Sequence, residues 1–152
     1  MAKQNLKFTK VKDVKSPTRG TKLSAGIDFY VPTNVDKIEL QPGQSTLIPS
    51  GIKVSVPKGH ALIAFNKSGI ATKRNLQVGA CVVDEDYQGE VHIHLTNVGS
   101  SVSEINGGDK IVQFILIPVY YADIEEIKTE AELFENVLSE RKSGGFGHTG
   151  DK

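Results

Sequence analysis

Short apolar runs, each closed off by glycine, proline, asparagine or serine, constrain this chain more than any other feature of it. Thr46-Leu-Ile-Pro49, Ile52-Lys-Val-Ser-Val-Pro57, Ala61-Leu-Ile-Ala-Phe65, Val91-His-Ile-His-Leu95 and Ile111-Val-Gln-Phe-Ile-Leu-Ile-Pro118 all read as strands. Pro42-Gly43, Lys58-Gly59 and Gly107-Gly-Asp109 supply turns between them. Many short strands at this spacing point to an all-β sandwich or barrel. Two segments have helical character. Residues 68–75 form a short turn of helix, and residues 125–141 carry Ile127, Ala131, Phe134 and Leu138 at helix-like spacing.

A chain of 152 residues fits one domain with a real core. Eighteen Lys and Arg balance eighteen Asp and Glu, so no global charge favours nucleic acid or an anionic membrane, and neither partner is expected. Any anion must be held by a local site. The single Cys81 excludes an intramolecular disulfide and a Cys-rich zinc site, which suits a reducing compartment. The N-terminus lacks the apolar run of a signal peptide, and no stretch approaches the roughly 20 apolar residues of a membrane helix. The expectation is a soluble intracellular protein, cytoplasmic or, in a eukaryote, nuclear.

Three segments carry chemistry. Residues 79–90, Gly-Ala-Cys-Val-Val-Asp-Glu-Asp-Tyr-Gln-Gly-Glu, read as a β-hairpin with Asp84 at the end of its first strand. Hydrophobic neighbours raise the cost of ionising a carboxylate, so Asp84 is a candidate base; an acidic turn residue is the alternative. Glu85 and Asp86 are expected to cap the turn and stay solvated. Lys67-Ser68-Gly69 puts a cation, a hydroxyl and a flexible backbone N–H together, as a phosphate site requires. Ser50-Gly51-Ile52 resembles it but has no adjacent cation and enters a strand. The tail, residues 141–150, holds Gly144, Gly145, Gly147 and Gly150 around Phe146. Such a segment cannot form a strand or helix interior cheaply, yet a frayed end has no need of Phe146 or Arg141.

Five segments in order, Ala25-Gly-Ile-Asp28-Phe-Tyr30, Asn66-Lys-Ser-Gly-Ile-Ala71, residues 79–89, Gly108-Asp-Lys-Ile-Val-Gln113 and residues 141–150, closely resemble the five motifs of the trimeric dUTPases, the dUTP diphosphatase family. The resemblance spans nearly the whole chain. It implies a jelly-roll-like distorted β-barrel of the β-clip type with at most one or two short helices, assembled as a homotrimer whose active sites are shared between subunits. It places a β-barrel domain over residues 1–140 and a flexible Gly-rich tail over residues 141–152 that closes over the site. It implies Mg²⁺-dependent hydrolysis of dUTP to dUMP and pyrophosphate, which keeps uracil out of DNA and supplies dUMP for thymidylate synthesis.

The resemblance also distributes roles. Asp84 activates a water for attack on the α-phosphorus and Gln113 helps hold that water. Main-chain groups around Cys81, Val83 and His92 read the uracil edge, and Tyr87 lies under the sugar, where it excludes a ribose 2′-hydroxyl. Lys67, Ser68 and Gly69 contact the phosphates. Asp28 stands near the metal, through water, and Lys110 supports an interface or the phosphate site. In the tail, Arg141 meets the terminal phosphates, Phe146 stacks on uracil, and Gly147, His148 and Thr149 face the γ-phosphate.

Some positions depart from the family pattern. Lys67 replaces an Arg and loses its bidentate fork. Cys81 stands where Gly is frequent, which a main-chain contact tolerates if the thiol points away from uracil. Lys142 replaces a Gly and His148 a Ser. His92 and His94 form an H-x-H that can hold zinc, without an evident third ligand. Two other functions compete with dUTP hydrolysis: a dCTP deaminase of related fold, which the D-E-D-Y-Q-G turn and the complete tail disfavour, and a silent binding module, which the intact Asp84, Tyr87, Gln113 and Arg141 disfavour.

Overall fold

The computed structural model describes residues 4–147 and 149–150. The chain divides into two compact units, Met1–Tyr120 and Tyr121–Lys152. The first unit holds ten strands and one helix: β1 (Lys7–Lys10), β2 (Ile27–Tyr30), β3 (Ile38–Leu40), β4 (Ser45–Ser55), β5 (His60–Phe65), α1 (Ser68–Arg74), β6 (Leu76–Val78), β7 (Val82–Val83), β8 (Glu90–Asn97), β9 (Ser103–Ile105) and β10 (Lys110–Pro118). Among the described residues the second unit contains one short helix, α2 (Glu130–Leu133), whose N-terminus is capped by Thr129 accepting from the Glu132 N–H. The amphipathic spacing over residues 125–141 thus yields a single helical turn. No helix among the described residues is long and apolar enough to cross a membrane.

The strands form a four-stranded sheet β1-β4-β8-β6, a second sheet β2-β10-β5-β7 and a ribbon β3-β9, with every named pair antiparallel. This is the expected jelly-roll-like all-β architecture with two short helices. Its sheets stay open rather than closing into one ring of hydrogen-bonded strands. The core lies between the two larger sheets. Along β8, Val91, Ile93 and Leu95 are buried while His92 is exposed and His94 and Thr96 are half-exposed, the period-2 alternation of a strand with one covered face. Phe29 of β2 and Phe114 of β10 meet with ring centroids 4.5 Å apart. Among the described residues every buried polar side-chain atom has a partner. Asn97, fully buried, donates to the carbonyls of Leu40 and Ser101, both at 2.8 Å, and accepts from the Gly99 N–H at 2.9 Å.

Two sequence expectations merge and one is corrected. The runs at Thr46 and Ile52 are one strand, β4, whose register shifts between Pro49 and Lys53. Proline removes a ladder donor, and Gly51 adopts φ 73°, so a bulge is the conformation this Pro-Ser-Gly sequence favours. Residues 79–90 do not form a two-stranded hairpin. Val82 and Val83 pair with Ile63 and Leu62 of β5, whereas β8 pairs with β4 and β6. Strand β8 is interior to its sheet and has no free edge to offer β7, so the segment crosses from one sheet to the other.

Candidate active site

The fourth-motif strand β10 lies between β2 and β5, and this adjacency gathers the first, second and fourth motifs. Gln113 is in register with Asp28 on one side and Phe65 on the other. Just beyond Phe65 the chain turns into α1, and Lys67 is its N-terminal flanking residue. Asp28, 4% exposed, is ion-paired through Oδ1 to Lys67 Nζ, and Lys110 Nζ lies 3.6 Å from its Oδ2. A carboxylate this deeply buried requires compensating cations, and the two lysines supply them. Asp28 of the first segment therefore sets the position of Lys67 of the second.

Three further groups complete this cluster. Gln113 Nε2 donates to the main-chain oxygen of Asn66 at 2.7 Å. Asn66 Oδ1 accepts from the Val78 N–H at 2.8 Å, joining the end of β5 to β6. Gly26 packs on Gln113 so closely that an added Cβ would lie 1.9 Å from Gln113 Oε1. Ser68 and Gly69, the first residues of α1, are exposed. A Cβ on Gly69 would meet nothing within 4 Å, so the packing of this chain alone does not require a glycine there. Asn66 and Gly26 lie inside segments that the sequence singles out, but received no role. Neither is ionisable, and the hydrogen bonds and close contact that matter depend on elements distant in sequence.

The third-motif residues occupy a different place. Val83, 7% exposed, is a core side chain in register with Leu62. The Cys81 carbonyl accepts from the Ala64 N–H at 2.8 Å, and its side chain packs against the hydrophobic core. After β7, a turn closed by the Tyr87 N–H donating to the Asp84 carbonyl at 3.2 Å leaves Asp84 exposed. Within this chain Asp84 therefore lacks the apolar surroundings that its neighbours in sequence suggest, because Val83 points into the core and Asp84 out of it. Glu85 is half-buried rather than fully solvated, accepting from the Gly59 N–H at 2.8 Å. Tyr87, 42% exposed, donates its hydroxyl to the Glu90 carbonyl at 2.9 Å. Its ring covers Gly89, where a Cβ would lie 2.3 Å from the Tyr87 oxygen.

Glu90 anchors this turn. Oε1 accepts from the Gly51 N–H at 2.7 Å and lies 3.0 Å from Lys12 Nζ. Burial disfavours its charge, but Lys12 and the Gly51 N–H outweigh that and hold the carboxyl below its ordinary value. Exposed His92 turns Nδ1 to the Glu90 carbonyl at 2.8 Å. His94 Nδ1 accepts from the Ala80 N–H at 3.0 Å, and its ring occupies the space that a Cβ on Gly79 would need. Among the described residues no group of three or more His, Cys, Asp or Glu could hold a metal ion.

The two clusters lie at opposite ends of β5. Gln113 is opposite Phe65, and Val83 is opposite Leu62, on strands that flank β5 from opposite sides. Three residues along a strand and two strand spacings across it separate them by about 14 Å. Asp84 continues away from Gln113.

The tail residues belong to the second unit. Arg141 Nε donates to the Gly144 carbonyl at 2.6 Å, and the Gly144 N–H returns to the Arg141 carbonyl at 2.9 Å. The Gly150 N–H donates to the Gly147 carbonyl at 2.8 Å, and Phe146 and Thr149 are exposed. Lys142 and Phe146 take positive φ values of 48° and 32°. His148 lies outside the described residues.

The chain is similar to known proteins over nearly its whole length. The family model described as dUTPase matches residues 12–150. Deoxyuridine 5'-triphosphate nucleotidohydrolase of Mus musculus is 35% identical over 147 residues, covering 96% of this chain and 85% of that protein. The protein of the same name from Debaryomyces hansenii is 37% identical over 150 residues, covering 98% of this chain and 89% of its own. In three dimensions, the dUTPase of Staphylococcus bacteriophage 80alpha with dUPNHPP superposes with a TM-score of 0.83 at 20% identity, over 97% of this chain and 99% of that one. The motifs, their order, the fold that carries them and these matches together make the chain a member of the dUTPase family.

Proposed function

We propose that this protein hydrolyses dUTP to dUMP and pyrophosphate in a homotrimer whose sites combine groups from different copies. The observation that carries the shared site is the main-chain separation of about 14 Å between Gln113 and Val83, with the exposed Asp84 continuing away from Gln113 beyond it. A second copy that brings its Asp84 turn to the Asp28–Lys67–Gln113 cluster removes the gap. Approach of that copy and of the nucleotide also supplies the desolvation that Asp84 lacks in the single chain.

In the assembled site Asp84 accepts a proton from water, which attacks the α-phosphorus in line while pyrophosphate leaves. Lys67 and Ser68 hold phosphate oxygens, and the open side of Gly69 lets the backbone approach them. Cys81, Val83 and His92 present main chain to uracil, and the Tyr87 ring, fixed on Glu90 and Gly89, lies under the sugar. Arg141, Phe146, Gly147, His148 and Thr149 close over the nucleotide, so the tail is ordered at an entropic cost offset by contacts with the full triphosphate. Mg²⁺ fits as an ion carried on the triphosphate with its own waters, where it neutralises phosphate charge. Asp28 Oδ2, 3.6 Å from Lys110 Nζ, is the carboxylate oxygen that would meet such a water. The roles of the reaction in keeping uracil out of DNA and supplying dUMP follow from its substrate and product.

Incubation with dUTP, dCTP, dTTP and UTP in the presence of Mg²⁺ tests the reading. Pyrophosphate from dUTP alone is expected. Deamination of dCTP, or no turnover of any of the four, would overturn it.

A further inference from the structure

We propose that Asn66 is a positioning residue, and that through it Gln113 meets the attacking water as a hydrogen-bond acceptor; this rests on the dUTP hydrolysis proposed above. Gln113 Nε2 donates to the Asn66 carbonyl at 2.7 Å. A carbonyl oxygen can only accept, so this contact determines which way the Gln113 amide is turned. The amide's other heteroatom is Oε1, and it faces Gly26. Gly26 is not among the glycines with positive φ, so its missing side chain provides clearance for Oε1 rather than a turn conformation.

The carbonyl that orients Gln113 is itself held. Asn66 Oδ1 accepts from the Val78 N–H at 2.8 Å, which fixes the peptide between β5 and α1 against β6. Position thus passes from the β6 backbone through the Asn66 side chain and carbonyl to Gln113, and ends on an acceptor. The chemical consequence is specific. A water that donates one proton to the Asp84 carboxylate and the other to Gln113 Oε1 has both O–H bonds directed, which leaves a lone pair for phosphorus. A glutamine turned the other way would donate to one of the water's two lone pairs and lower its nucleophilicity.

Three variants test this with kcat and KM for dUTP and the thermal midpoint measured together. Asn66→Ala frees the carbonyl from β6, and kcat is expected to fall about 10- to 100-fold with KM nearly unchanged, as for a small misplacement of a catalytic group. Gly26→Ala forces Gln113 Oε1 to move by a separate route, and should lower kcat in the same way while the protein still melts cooperatively. Asn66→Asp keeps an acceptor for the Val78 N–H and should recover most of the kcat lost in Asn66→Ala, with a higher KM from its added charge. The proposal is overturned if Asn66→Ala and Gly26→Ala keep native kcat, if KM changes as much as kcat, or if Asn66→Asp is no better than Asn66→Ala. Should Asn66→Ala fail to fold, Gly26→Ala decides. Native protein and Gln113→Ala separate this result from the parent reading. A native chain inert toward dUTP removes both readings, whereas an unimpaired Gln113→Ala removes the role of Gln113 and the inference built on it and leaves dUTP hydrolysis standing. Normal behaviour of these two with an unimpaired Asn66→Ala and Gly26→Ala removes only the inference about Asn66.

Discussion

The two ends of β5 are built on different principles. At the Phe65 end, Asp28 is ion-paired to Lys67 and Lys110, and Gln113 is hydrogen-bonded to Asn66, which is held in turn by Val78, all within one chain. At the Leu62 end, the Asp84–Tyr87 turn is anchored from beneath by Glu85 and Glu90, but it presents Asp84 and Tyr87 outward. One cluster is satisfied by its own chain; the other is held rigid and left facing away. On the function proposed above, a phosphate-binding end would have to fix cations against their mutual repulsion, which the buried Asp28 does here. On the same proposal, a base acting across a subunit boundary would instead need a stiff support and an open face.

The strongest way to break this comparison is to divide it between chains. Asp84→Asn alone should lower turnover about 10²- to 10⁴-fold while nucleotide binding persists. Gln113→Ala should also be impaired. Refolding the two variants together at equal amounts should restore about a quarter of native sites, the statistical yield when each site takes one residue from each of two copies in a threefold ring. Pyrophosphate release from the mixture that stays at the level of the separate variants would place both residues in one chain's site.

Asp28→Asn attacks the self-contained end. It leaves Lys67 and Lys110 without their buried counter-charge, and a loss of about 1–3 kcal/mol in denaturant unfolding is expected, because both lysines are partly solvated. KM for dUTP should rise as Lys67 loses its fixed position. A variant with native stability and native KM would show the pair to be incidental.

Gly89→Ala tests the rigid support at the other end. The added Cβ cannot coexist with the Tyr87 ring in its present place. The ratio of dUTP to UTP turnover should fall by about tenfold, within the range for loss of a shape-based exclusion. An unchanged ratio would mean that Tyr87 does not discriminate the sugar.

The smallest effect concerns pH. Glu90 is held below its ordinary value by Lys12 and the Gly51 N–H against the cost of burial, so its charged form is favoured by folding. A group with a lowered folded-state value stabilises fully above its unfolded value, about 4.3, and the stabilisation fades as pH falls through the folded-state value. Glu90→Gln should therefore be less stable than the native chain at pH 7, with the difference shrinking toward pH 3. A difference that is constant with pH would show that the carboxylate charge is not what holds the turn.

Much of the fold was legible because long strands advertise themselves. Strands β4, β5, β8 and β10 each carry enough apolar residues to be seen alone. Strand β2 is four residues, with Asp28, Phe29 and Tyr30 buried in succession, so no alternation marks it. Strands β3, β6, β7 and β9 have two or three residues each, too few to show a period. The segment over residues 79–90 read as a hairpin because local sequence records the turn but not which edge is free to pair.

By itself, the sequence determined an all-β chain, the order of its five motifs and the chemical types available for the reaction, because these depend on residue identity and short-range pattern. Tertiary structure alone decided that Asp28 serves two lysines, that Asn66 orients Gln113, and that Asp84 and Gln113 lie apart on opposite sides of β5. Those relations come from strand register between segments tens of residues apart, where a single hydrogen-bond pairing sets which side chains meet. No local pattern encodes that pairing.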